Sequence, residues 1–140
     1  METQLVCIAA DIYTSLGPGY NEVIYHRAFE VALRLSNIPY ESEVVTPVFY
    51  KGYNVGHGRV DIKLANIIIE LKAINTLNND ALIQTKNYMS QHNIDTGMII
   101  NFGQSTKGTI KNLGIILIQG QVIYDYVNNS FVPRGGEINI

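Results

Sequence analysis

The sequence predicts a single α/β domain in the order α-α-β-β-β-α-β with a C-terminal β extension, and three observations carry that prediction. Apolar residues recur at helical spacing up to Ser36. The period falls to two between Glu41 and Ile74. A further helical stretch from Asn79 or Asp80 to about Gln91 is then followed only by short apolar runs of strand length.

Each element has a local reason. Leu5, Ile8, Ala9, Ile12 and Leu16 form one stripe of a first helix from Glu2 to Leu16, which Gly17-Pro18-Gly19 stops. From Tyr20 to Ser36 a second helix carries Tyr20, Ile24, Ala28, Val31 and Leu35 on one side and Tyr25, Phe29 and Leu33 on another. It is expected to pack on two faces, with Arg27, Glu30 and Arg34 in solvent between them. Asn37 and Pro39 end it. Glu41 to Tyr50, Val55 to Leu64 and Ile67 to Ile74 read as a three-stranded meander with turns at Lys51-Gly52 and Ala65-Asn66. Asn79 or Asp80 caps the third helix, and Gly97 to Phe102 forms the next strand, closed by Gly103. Beyond the weakly signalled segment Lys107 to Asn112, Ile115 to Ile118 and Val122 to Val127 are expected to pair as a hairpin, with a polar tail from Asn128.

Composition bounds the function. With 140 residues, 46% of them apolar and 16% charged, the chain fits one domain over 1–140, its core spanning about 5–111 and its β extension and tail about 112–140. Ten Lys plus Arg against twelve Asp plus Glu give a net charge of −2, so a nucleic-acid site must be a local patch. The single cysteine, Cys7, excludes an internal disulfide, and His26, His57 and His92 lie too far apart for a structural zinc motif. No apolar run approaches the roughly 18 residues that span a bilayer. The N-terminus has neither a basic n-region nor a cleavage site. A soluble, intracellular protein without a membrane partner is expected.

The chemistry concentrates between Gly58 and Lys72. If Ala65-Asn66 is a two-residue hairpin loop, Leu64 pairs with Ile67 and Asp61 falls opposite Glu70, the two carboxylates sharing a face. Opposed like charges are destabilising unless offset. A hard divalent cation, which takes carboxylate oxygens and keeps several waters, is a natural offset. Alternation puts Lys72 on the face of Glu70 while Ile69, Leu71 and Ala73 point away. Two carboxylates holding a metal beside an ammonium suit phosphodiester hydrolysis. The alternative is a solvated ladder in which Arg59, Asp61, Lys63, Glu70 and Lys72 form surface ion pairs.

Two further groups could join such a site. Glu22 falls in the stripe of Tyr25, Phe29 and Leu33, as a third metal ligand or water-orienting group, or simply as an acid at a helix N-terminus. Gln84 and Tyr88, at i and i+4, lie on one edge of the third helix and could bind a phosphate oxygen, with Lys86 meeting the nucleic-acid backbone; a surface glutamine is the alternative.

Together Leu16-Gly-Pro-Gly19-x-x-Glu22-x-x-Tyr25, Arg59-x-Asp61, Glu70-Leu-Lys72-Ala, Gln84-x-x-x-Tyr88 and Ile100-Asn-Phe-Gly103 resemble, in order and over about Leu5 to Gly103, the GxxExxY family of the PD-(D/E)XK nuclease superfamily. The resemblance implies a restriction-endonuclease-like core, a mixed sheet flanked by helices, with Mg²⁺ or Mn²⁺ at Asp61 and Glu70, Lys72 as catalytic lysine and Glu22 as the first-helix acid. Gln84 and Tyr88 match the Q-x-x-x-Y element, whose helix supports the site and contacts DNA; Lys86 and Arg59 join them as expected substrate contacts. Val60 stands where the superfamily's name places proline, and Asn112 to Ile140 continues beyond the recognised portion.

The function so implied is a metal-dependent deoxyribonuclease of repair, recombination or foreign-DNA processing, DNA being favoured over RNA, with a homodimer to widen the grip. Two alternatives stay open: a structure-specific endonuclease of the junction-resolving kind, and a binding module on the same fold that does not cut.

Overall fold

A computed structural model describes residues 1–104 and 113–137. The elements run α1 (Glu2–Leu16), α2 (Glu22–Leu35), β1 (Glu41–Tyr50), β2 (Tyr53–Lys63), β3 (Ile68–Lys72), α3 (Asn79–Gln91), β4 (Thr96–Asn101), β5 (Gly114–Gln119), β6 (Val122–Val127) and β7 (Ser130–Glu137). The strands form one seven-stranded sheet in sequence order. Every neighbouring pair is antiparallel except β3 and β4, which α3 joins in parallel. The sheet is thus mixed and flanked by helices, consistent with the restriction-endonuclease-like fold.

Two apolar layers hold it. Leu5, Ala9, Ile12, Tyr25, Phe29 and Leu33 of the first two helices pack on Ile69, Leu71, Met98 and Ile100 of one sheet face. Ala81, Leu82, Tyr88 and Met89 of α3 pack on Val60, Ile68, Ile99 and Ile116 of the other. The central strands β3 and β4 are covered on both sides, as a parallel pair requires, which accounts for their unbroken runs of Ile and Leu.

Five expectations need correction. Helix α2 buries one face only: Leu35 is 80% exposed and Val23, Ile24 and Val31 also face solvent, because α1 and the sheet reach only the Tyr25 side. It begins at Glu22, not Tyr20, since the side chain of Asn21 caps it by accepting the N–H of Ile24. Strand β2 begins at Tyr53, and β3 is shorter than Ile67 to Ile74, its backbone turning away after Lys72. The stretch from Asn128 is not a polar tail. Asn128 and Asn129 take φ of 50° and 64°, the left-handed pair of a tight hairpin turn, and β7 follows, with the ring of Phe131 packed 4.9 Å from that of Tyr126. The segment Lys107 to Asn112 lies outside the described residues. Among the described residues no helix is long and apolar enough to cross a membrane.

Candidate active site

The hairpin between β2 and β3 closes as expected, with Leu64 donating its N–H to the carbonyl of Ile67 at 2.9 Å. Lys63 pairs with Ile68 and Ile62 with Ile69, so the next rung sets Asp61 opposite Glu70. No further backbone rung forms. The side chains occupy it instead: a Glu70 carboxylate oxygen accepts the N–H of Asp61 at 2.8 Å, and an Asp61 oxygen accepts the N–H of Leu71 at 2.8 Å.

The reason is a change of face at this row. Ile62 lies in the α1–α2 layer and Val60 in the α3 layer, although residues two apart in a regular strand share a face. Strand β1 does the same: Ser42 meets His26 of α2, whereas Val44 packs toward α3. The crossing residue there is Glu43, at φ 51°, a left-handed conformation that costs a non-glycine residue about 1–2 kcal/mol. The two carboxylates therefore meet through the opened seam between β2 and β3, not by simple alternation on one face.

Glu70 is only 2% exposed, and its pKa is pushed from 4.5 up to about 8, first by burial and then by the neighbouring Asp61 charge. Burial raises that of Asp61 as well, against its hydrogen bond from Leu71. Neither acid is paired with a cationic side chain among the described residues. The positive charge of Lys72 is felt by Glu22, Asp61 and Glu70 alike and favours ionisation of each.

This donor set fits a hard divalent cation. Each acid spends one oxygen on a backbone N–H, and among the described residues the other has no hydrogen-bond partner. Without a cation, burial and mutual repulsion oppose ionisation of the two acids together, and a bound divalent cation would reverse that. No three His, Cys, Asp or Glu side chains among the described residues close on one point, so water would complete the shell, as Mg²⁺ prefers.

The remaining residues are placed as follows. Glu22, in the first turn of α2, is exposed, feels Asp61 and Lys72, and has its pKa raised mainly by partial burial. Tyr25 lies below it, stacked on Phe102 at 4.2 Å. Its hydroxyl donates to the Gly17 carbonyl at 2.6 Å and accepts the N–H of Tyr20, fixing the loop that presents Glu22. The buried hydroxyl of Tyr88 accepts the N–H of Arg59 at 3.1 Å, two residues from Asp61. Gln84, one turn away, is exposed and lines a groove of about 540 Å³ between α3 and the β1–β2 hairpin. Arg59 is drawn toward Glu43 at 3.7 Å. The Lys86 ammonium donates to the Gly120 carbonyl in the β5–β6 turn, three strands along the sheet from Asp61.

Two contributors were given no role from the sequence, although Asn101 stands within the Ile100-Asn-Phe-Gly103 motif. His26, one turn after Glu22, bonds the Ser42 hydroxyl at 2.9 Å and lowers the pKa of both Asp61 and Glu22. Its i+4 spacing from Glu22 was the available signal. Asn101 clamps the chain leaving β3: its amide oxygen accepts the N–H groups of Ile74 and Gly103, its amide nitrogen donates to the Ile74 carbonyl, and the neighbouring Phe102 N–H bonds the Lys72 carbonyl.

An acid pair in an opened seam of the sheet, with a lysine two residues on, is an arrangement suited to metal-assisted phosphodiester chemistry. The chain matches the family model of the PD-(D/E)XK nuclease superfamily over residues 1–113 and belongs to that superfamily. Proteins of that superfamily are generally nucleases and typically use divalent metals such as Mg²⁺. Among solved structures, that titled "Crystal structure of SSO0001" is similar in fold, with a TM-score of 0.53 and 19% identity over 69% of this chain. The alignment spans 49% of that protein, so this chain corresponds to about half of it. No curated protein matches the sequence.

Proposed function

We propose that the protein is a metal-dependent deoxyribonuclease of the GxxExxY kind, with Asp61 and Glu70 holding Mg²⁺ or Mn²⁺ and Lys72 assisting the attacking water. The observation that carries the reading is the pair of acids in the β2–β3 seam, Glu70 buried and Asp61 half-buried, neither in an ion pair among the described residues and both within the influence of Lys72. A purely structural ion-pair ladder would place these groups in solvent with partners; Glu70 has neither.

The cation, when bound, would polarise a phosphoryl oxygen and make a nearby water more acidic. This chain's residues do the rest. Asp61 and Glu70 are held in register by each other's strands, so the donor oxygens need no reorganisation. The Lys72 ammonium orients the nucleophile and stabilises charge on the phosphorus-centred transition state. Glu22, delivered by the Tyr25-anchored loop, faces the same spot from α2 and orients water at its rim. Gln84, Tyr88 and Arg59 line the approach for the substrate backbone. Lys86, held by Gly120, would have to exchange that bond for a phosphate.

The test is cleavage of labelled single-stranded, duplex, flap, four-way-junction and RNA substrates with Mg²⁺, Mn²⁺ or EDTA, with Asp61→Asn in parallel. Metal-dependent cutting lost in the variant is expected. Equal cutting by the variant would overturn the assignment.

A further inference from the structure

We infer that the distal half of the β1–β2 hairpin is a stacking arm for unpaired nucleic-acid bases, leading a single strand along the groove beside α3 to Asp61. This rests on the nuclease reading and names the substrate class of that site.

The hairpin extends well past the sheet. Strand β3 pairs with β2 only at Ile62 and Lys63, so from Val60 outward the two long strands pair only with each other. This free part is aromatic at its tip, where burial should have put such side chains: Phe49 is 61%, Tyr50 61% and Tyr53 76% exposed. Tyr50 and Tyr53 face each other across the Lys51-Gly52 turn. Val48, two residues before Tyr50, lines the groove; the pairing slips between Val48 and Phe49, but the extra residue is Val55 on β2, so alternation along β1 still sets Tyr50 on the groove side with Tyr53 opposite it.

The groove itself suits a chain of nucleotides. Its strand wall includes Gly58 and its helix wall offers the amides of Gln84 and Asn87. From Tyr53 to Asp61 is about 25 Å at a strand's rise of about 3.3 Å per residue, enough for several nucleotides.

Charge argues for an unpaired strand over a duplex. Between Glu43 and Asp61 there is no acidic residue, and Lys51, His57 and Arg59 are the only groups able to carry positive charge; Asp80 is the one acid lining the groove. So few cations release few counterions, which leaves duplex binding weak. Base stacking on aromatic rings supplies affinity without charge and is available only to unpaired bases. Lys51 sits with its ammonium 5.3 Å from the Tyr50 ring centroid, where a phosphate would follow a stacked base.

The test measures binding of a labelled oligothymidylate and of a blunt duplex of equal length by anisotropy in EDTA, where nothing is cut. Wild type should prefer the single strand by about tenfold, Tyr50→Ala with Tyr53→Ala should lose at least about tenfold, and Tyr50→Phe with Tyr53→Phe should stay within about twofold. Because the chain has no tryptophan, Tyr53→Trp adds a single reporter whose emission base stacking should quench. Equal affinity of all variants for the oligonucleotide would overturn the inference. A wild-type dimer in sedimentation that the alanine variant loses, without change in oligonucleotide affinity, would assign the arm to a second copy instead. Tyrosine-dependent binding without cleavage under any metal would defeat the nuclease reading and leave the arm standing. Cleavage indifferent to the arm would do the reverse.

Discussion

Glu70 and Asp61 lie opposite each other across the β2–β3 seam, and the Glu70 carboxylate accepts the N–H of Asp61 at 2.8 Å in place of a backbone carbonyl. The arrangement gives up ladder hydrogen bonds to hold Glu70 out of water and Asp61 half-buried beside it. Such a site works against stability, a cost that a bound cation would offset.

The first prediction concerns pH. Glu70 has a folded pKa of about 8 against an ordinary 4.5, so the folded state holds a proton that the unfolded chain releases between those values. Stability of the metal-free protein should therefore be greatest below about pH 4.5 as far as this group is concerned, and should decline as pH rises toward 8. Glu70→Gln should flatten that decline and raise the melting temperature at pH 8 by several degrees, while abolishing cleavage. Mg²⁺ or Mn²⁺ should restore stability to wild type and not to the variant. Thermal melts at pH 5 and pH 8, with and without metal, check all of it. A steeper decline in the variant would reverse the sign.

A second prediction follows from Tyr25. Its hydroxyl is the tie between α2 and the Gly17 carbonyl, while its ring is fixed by the Phe102 stack. Tyr25→Phe keeps the stack and loses the tie. The expected cost is about 1 kcal/mol in urea unfolding. Because the freed loop positions Glu22, the cleavage rate should fall by more than stability alone explains. A variant less stable by that amount but cutting at the wild-type rate would show that Glu22 needs no such positioning.

How much of this was legible depends on the kind of information. The opposition of Asp61 and Glu70 was readable because a two-residue hairpin fixes register by counting, and Leu64 does pair with Ile67. The seam through which they meet was not readable, because it depends on the left-handed backbone of Glu43 and no periodicity marks that residue. The apolar face of Ile24, Val31 and Leu35 was visible, but amphipathicity cannot say whether a partner exists within the chain, and this fold supplies none. Strand β7 was missed because Asn128-Asn129 reads as polarity, whereas its physical content is tolerance of positive φ.

Gly58 yields a third prediction. A Cβ built there would stand 2.5 Å from the Tyr88 hydroxyl oxygen and 2.9 Å from its ring, closer than such atoms approach. Tyr88 is buried against the α3 layer and cannot swing aside without leaving the N–H of Arg59 unpaired. Gly58→Ala should cost about 1–3 kcal/mol through overpacking. Tyr88→Phe, which only deletes the hydroxyl, should cost about 1 kcal/mol. Combining Tyr88→Ala with Gly58→Ala should cost less than the sum of the two single changes, since the cavity accepts the methyl. Chemical denaturation of the four variants measures the coupling, and strict additivity would mean the two residues do not press on each other.

The last prediction tests β7 as part of the core. Phe131 is partly buried, packs against the α1–α2 layer and meets Tyr126 edge-on at 4.9 Å, while Arg134 makes two hydrogen bonds to the Asp125 carboxylate at 2.9 and 2.6 Å. The ion pair is over a third exposed and should add little. The ring is therefore the stabilising contact. Phe131→Ala should lower stability by about 1–2 kcal/mol, given partial burial of an aromatic. Arg134→Ala should change it by less than about 1 kcal/mol. Neither touches the carboxylate pair, so cleavage per folded molecule should stay at the wild-type level in both, and a loss of cutting in folded Phe131→Ala would mean that the extension takes part in binding the substrate.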